Sequence, residues 1–91
     1  MPQSPVINKP LPRTTLEPVC EALAAVIRER RVRRGWSMNQ LAALTRLSHP
    51  MIRFIETTAR IPTVDTLARV SRAFGVPGSR LLAEAEARLK L

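Results

Sequence analysis

Between Ser37 and Thr57 the chain stops one helix and starts another with almost no room between them, and this constrains the fold more than any other feature. Ser37 is of the residue type that caps helix starts. Gln40, three places on, completes a capping box, in which a hydroxyl and a side-chain amide each satisfy a backbone N–H of the first turn. Leu41, Ala42 and Thr45 then share one helical face, which predicts a helix over about 38–45. Leu47 and Ser48 interrupt it. Pro50 suits the first turn of a new helix, where its missing N–H costs little, and it pushes His49 out of the α region. The spacing predicts a second helix over about 49–57, its first turn opening at Pro50 with His49 beside the cap, and Ile52 and Ile55 resuming the apolar face.

Helices this short need tertiary partners. A turn of three or four residues lets the two bury Leu41, Ala42, Thr45, Leu47, Ile52 and Ile55 against each other. Ala42 is small enough for a close crossing, and Leu47 plugs the turn. The product is a helix-turn-helix whose second helix presents His49, Pro50, Arg53 and part of Met51 outward.

The remaining punctuation is helical as well. Thr15 as cap, Pro18 in the first turn and Val19, Leu23, Val26 and Ile27 at helical spacing predict a first helix from about Leu16 to Arg34, stopped by Gly35. Trp36, just before the Ser37 cap, is expected to staple against Leu41. Thr63 caps a helix that buries Leu67, Val70, Ala73 and Phe74 and ends at Gly75 and Pro77. Ser79 caps a last helix over about 79–90, with Leu81, Ala85 and Leu89 at i, i+4 and i+8. No segment alternates as a strand would. The predicted fold is all-α, a compact five-helix bundle over residues 16–91. It is preceded by an arm over 1–15 in which Pro2, Pro5, Pro10 and Pro12 and the lack of periodicity argue for a flexible tail.

Composition narrows the partner. The chain has 91 residues, enough for one small domain, and only 3% aromatic content, so its core is aliphatic. Its formal net charge is +8, and all but two of its 15 basic residues are arginine, which favours a polyanion, nucleic acid first. A membrane surface is disfavoured because Trp36, Phe54 and Phe74 are scattered rather than gathered on one long apolar face. No apolar run is long enough to span a bilayer. Cys20 is the sole cysteine, so no internal disulfide forms, which suits a reducing cytoplasm. The single histidine lacks a carboxylate or nucleophile constellation, and there is no Gly-rich phosphate loop and no Cys/His cluster for zinc. No enzyme activity, metal or cofactor is expected.

The stretch from Ile27 to Leu82 resembles the phage-repressor, Cro-type (xenobiotic-response-element) helix-turn-helix family. Arg31, Gly35, Ser37, Leu41, Ala42, Ile52, Ile55, Glu56, Pro62, Leu67, Gly75 and Val76 stand at matching spacings in one unbroken register. Four positions depart from the pattern. Met38 replaces a phosphate-binding glutamine, Arg46 replaces the turn glycine, Thr58 replaces the glycine after the Glu56 signature, and Arg30 stands where relatives are often apolar.

The resemblance implies a lambda-repressor-like domain that binds double-stranded DNA, usually as a dimer. It implies a structural ion pair between Arg31 and Glu56, and Glu56 is the only acid between Arg30 and Val64. The second helix of the motif then enters the major groove with its N-terminal residues at the base edges. His49, Pro50, Met51 and Arg53 are the expected base readers: arginine pairs bidentately with guanine, and proline or methionine can touch a thymine methyl. His49 serves equally well as part of the cap, and Phe54 is expected to pack or to face a protein partner. Ser37, Asn39, Gln40, Ser48, Thr57, Thr58 and Arg60 flank the groove face as phosphate contacts. Leu81, Leu82, Ala85 and Leu89 are the candidate dimer seam. The leading functional expectation is a dimeric repressor reading a near-palindromic operator. The alternatives are an antitoxin that represses its own operon and clamps a toxin, and a protein-interaction adaptor that keeps the fold without reading DNA.

Overall fold

The computed structural model describes residues 16–89. The chain forms five helices in sequence: α1 Pro18–Arg33, α2 Met38–Thr45, α3 His49–Glu56, α4 Val64–Phe74 and α5 Gly78–Arg88, with no strand among the described residues. The expected arm and the expected cap Thr15 lie outside the described residues. Glu17 occupies the cap position of α1 with extended backbone and no side-chain cap bond, and Pro18 follows as the first helical residue. The last turn of α1 carries Arg30, Arg31 and Arg33 at the negative end of the helix dipole.

α2 opens on a complete capping box. The Ser37 hydroxyl accepts from Gln40 N at 3.1 Å, and Gln40 Oε1 accepts from Ser37 N at 2.7 Å. α3 starts one residue earlier than the proline rule suggests. Ser48 is the cap, His49 the first helical residue and Pro50 the second, because a first-turn proline leaves no intrahelical bond unmade at either position. Thr63 caps α4 through Thr66 N at 3.1 Å. α5 also begins early: Pro77 is its extended cap residue and Ser79 lies in the first turn, not at the cap.

One core runs through all five helices. Leu23, Val26 and Ile27 of α1 meet Leu41 and Ala42 of α2, Ile52 and Ile55 of α3, Val70 and Phe74 of α4, and Leu81 and Ala85 of α5. Trp36, expected as a staple on Leu41, has a wider role. It packs on the core and stacks on Phe74, ring centroids 5.6 Å apart and planes 10° from parallel. Arg34 caps this pair, its guanidinium 5.1 Å from the Trp36 ring centre and its Nη2 donating to the Phe74 carbonyl at 2.8 Å. Sequence spacing did not reveal this stack, since Trp36 and Phe74 are far apart in the chain.

Leu81 and Ala85 are fully buried inside their own domain, 0% exposed in each case. This corrects the expectation that they line a dimer seam: a small aliphatic core needs the inner face of α5 for itself. Leu82 is exposed and Leu89 half-buried.

Ion pairs tie the C-terminal end of α1 to the rest. Arg31 binds Glu56 through two bonds, Nε to Oε2 at 2.7 Å and Nη2 to Oε1 at 3.0 Å, and its Nη1 donates to the Trp36 carbonyl at 2.8 Å. Arg30 is explained by α5: its guanidinium pairs with Glu84. The hydrogen bond from Arg30 holds the Glu84 carboxyl below its ordinary range, and the same bond raises Arg30. Arg88 makes a like pair with Glu29 at the surface, which also lowers Glu29.

Both positions where the chain carries a residue in place of a turn glycine are left-handed. Arg46 has φ 60° and Thr58 φ 61°. An L-residue there crowds its Cβ against the following carbonyl, at about 1–2 kcal/mol, and a β-branched threonine fits least well. Glycine removes that strain but adds disorder to the unfolded chain, at about 0.5–1 kcal/mol. Thr58→Gly and Arg46→Gly are therefore each expected to raise stability by about 0.5–1 kcal/mol, a few degrees of Tm in a domain this size. Calorimetric melting checks this, and a fall in Tm for both would mean that their side chains hold these turns in place.

Candidate nucleic-acid interface

α3 has two faces of opposite character. Ile52, Ile55 and Glu56 point inward. His49, Pro50, Arg53, Phe54 and Thr57 are exposed. The Ser48 hydroxyl accepts from Met51 N at 3.2 Å and so fixes where the helix begins. Arg53 has no ion-pair partner among the described residues, leaving its guanidinium available to an external acceptor. Met51 is half-buried and packs against the core, so of the four expected base readers it has the least surface to offer.

The flanking polar residues differ in what they have left to give. Ser37 and Gln40 spend acceptor oxygens on the capping box, which leaves the Ser37 hydroxyl proton and the Gln40 amide protons as donors. Asn39 is exposed beside them. Together with the N-terminal backbone of α2 they make a donor-rich end suited to a phosphate. Met38, in place of the expected glutamine, is half-buried against the core and adds no donor.

Thr57 and Thr58 are weaker than sequence suggests. The Thr57 hydroxyl donates to Arg53 O at 2.8 Å, and that of Thr58 to Thr57 O at 2.5 Å. A hydroxyl has one proton, so neither can donate to a phosphate in this arrangement. Arg60 is exposed and lies over Phe54, its guanidinium carbon 5.6 Å from the ring centre.

Two features went unread in the sequence. Arg46, Arg69 and Arg72 line a shallow concavity with Leu44 and Thr45 between α2 and α4. The spacing of Arg69 and Arg72 on the outer face of α4 could have suggested it, but Arg46 joins them only through tertiary packing. Arg69 is partly engaged, its Nε donating to Asp65 at 2.8 Å. The second feature is the pairing of Arg60 with an exposed Phe54, a residue the sequence left open between packing and a partner surface. Among the described residues no group of His, Cys, Asp and Glu converges as metal ligands, and no helix is long and apolar enough to cross a membrane.

Two short helices crossing over a shared core, the second turned outward with an unpaired arginine, define a helix-turn-helix. Residues 27–81 match the helix-turn-helix family model. The chain is 33% identical over 67 residues to the HTH-type transcriptional regulator SutR of Escherichia coli K12, a match spanning 74% of this chain and 38% of that protein. The chain thus spans well under half the length of that curated relative. Among solved structures it resembles the clp gene regulator ClgR from Corynebacterium glutamicum (TM-score 0.72, 28% identity, 79% of this chain and 77% of that one). It also resembles a hypothetical transcription factor, NHTF, from Neisseria (TM-score 0.71, 26% identity, 89% and 95%). The chain belongs to the XRE-type helix-turn-helix family, a family of DNA-binding transcriptional regulators.

Proposed function

We propose that this chain is a sequence-specific regulator of transcription that acts as a dimeric repressor on double-stranded DNA, with α3 seated in the major groove. The observation that carries the reading is the division of α3: its inward side is sealed by Ile52, Ile55 and the Glu56 ion pair, and its outward side holds an unpaired Arg53 beside the donor-rich start of α2. In this reading Arg53 and His49 approach base edges, with Pro50 between them. Asn39, Gln40, Ser37 and Arg60 hold phosphates, and Ser48 serves by fixing the helix start. A twofold dimer places its two α3 helices about 34–36 Å apart, facing successive major grooves of a near-palindrome. With Leu81 and Ala85 committed to the core, the dimer surface draws instead on outward residues such as Leu82.

Selection of bound sequences from a random duplex pool tests this. The expected result is a near-palindrome with half-sites one helical turn apart. Arg53→Ala is expected to relax one base pair per half-site, at about 1–3 kcal/mol of lost discrimination for each arginine–guanine pair. A pool that yields no enriched sequence sinks the reading.

A further inference from the structure

The outward face of α3 is not centred on its arginine. With 100° between successive residues, the direction opposite Ile52, Ile55 and Glu56 falls closest to Pro50, Phe54 and Thr57. Phe54 lies roughly 25° from it and Arg53 roughly 75°. The middle of the face therefore consists of a proline, a phenylalanine and a threonine whose hydroxyl is spent on the Arg53 carbonyl. None of these side chains has a free donor to offer.

Phe54 is 37% exposed, whereas Phe74, the only other phenylalanine, is 2% exposed in the core. Its position is also held. The loop after α3 turns back so that Arg60 N donates to Phe54 O at 3.2 Å, and the Arg60 guanidinium then lies over the ring. This contact makes a cation–π pair, and Phe54 stays exposed beside it. Among the described residues α3 carries no carboxylate on this face, since Glu56 is bound to Arg31 on the inward side.

A surface without donors cannot read the hydrogen-bonding pattern of a base edge. The major groove offers one apolar feature, the 5-methyl group of thymine. We infer that Phe54, flanked by Pro50, reads a thymine methyl at the centre of each half-site, with Arg60 as the positioning residue that holds the ring. The inference rests on the DNA-binding reading above and specifies what the middle of that interface recognises. Arg53 then reads or clamps from the flank.

The test uses the full chain and its selected operator, with thymines replaced one at a time by uracil, which removes only the methyl. Binding is followed by fluorescence anisotropy. Burying one methyl corresponds to about a fourfold change in affinity, so one thymine per half-site should show about a fourfold loss, and about fifteenfold when both half-sites are changed together. In Phe54→Ala the thymine and uracil duplexes should bind alike, and in Arg60→Ala the thymine preference should shrink. Thermal melts of the variants separate lost reading from lost folding, and the uracil scan on the unaltered protein needs no variant. A tight operator with a flat uracil scan overturns the inference and leaves DNA reading intact. A Phe54→Ala protein that keeps the full thymine preference, as expected if Phe54 served a protein partner, also overturns it. Failure to select any operator removes both.

Discussion

Replacing Arg31 with alanine is expected to destabilise the domain by about 3–5 kcal/mol, out of a total stability of about 5–15 kcal/mol for a domain of this kind. The reason is what the substitution leaves behind. The Glu56 side chain is only 1% exposed, and both carboxylate oxygens accept from the Arg31 guanidinium. Without Arg31 a carboxylate remains, unpaired, in a site that water barely reaches. The Trp36 carbonyl loses its donor as well. Glu56→Ala is expected to be milder, because the Arg31 side chain, 11% exposed, is long and flexible enough to carry its charge toward solvent. Replacing both by apolar residues of similar volume, Arg31→Met with Glu56→Leu, should recover most of the loss, since the pair's cost of burial disappears along with its attraction. Urea unfolding of the four proteins measures all of this. An Arg31→Ala loss of less than about 1 kcal/mol, the range of surface pairs, would mean that the bridge is effectively solvated. DNA binding should fall only as far as the folded fraction falls, which separates Arg31 from Arg53.

That pair also marks how far the sequence could be read. Its partners are 25 positions apart in the chain, and a family resemblance named them; composition could add only that Glu56 had no competing acid nearby. The helices were legible because each is punctuated locally. Ser37 with Gln40, Pro50, Thr63 and Gly75 are short-range signals, and a cap, a first-turn proline or a left-handed glycine acts within one turn. The starts that slipped were those of α1 and α5, where Glu17 and Pro77 give no side-chain cap, and that of α3, where the Ser48 cap lies one residue ahead of the start that Pro50 suggested. Nothing local showed which side of α5 would be used. Leu81 and Ala85 read equally well as core or seam, and the choice depends on whether α1 needs covering, which is a tertiary question. Phe54 was left open between packing and a partner surface for a related reason. A phenylalanine is buried by default, and the return of Arg60 over its ring is a tertiary contact that no local signal announces.

Affinity for duplex DNA is expected to fall by about a thousandfold to a hundred-thousandfold as monovalent salt rises from 50 to 200 mM, the range for a protein neutralising about six to ten phosphates. The chain has the charge for it, +8 overall, with Arg46, Arg53, Arg60, Arg69 and Arg72 distributed over the motif and the helix that follows it. A twofold dimer doubles each protomer's contacts, so three to five phosphate contacts per protomer are enough to reach that slope. Within this, Arg60 and Arg53 should separate. Removing the Arg60 charge lowers the slope by about one per half-site, besides shrinking the thymine preference that Arg60 supports through Phe54, whereas removing Arg53 changes the preferred sequence more than the slope. Titrating the selected operator and an unrelated duplex in parallel measures both terms. The two should run nearly parallel against salt, offset by the specificity ratio. An adaptor that kept this fold but not its DNA would still carry the positive charge and could hold duplexes weakly at low salt, so salt sensitivity alone does not settle the matter. The offset does: two coincident lines would leave only nonspecific attraction between a basic domain and a polyanion, and α3 would then have to face a protein.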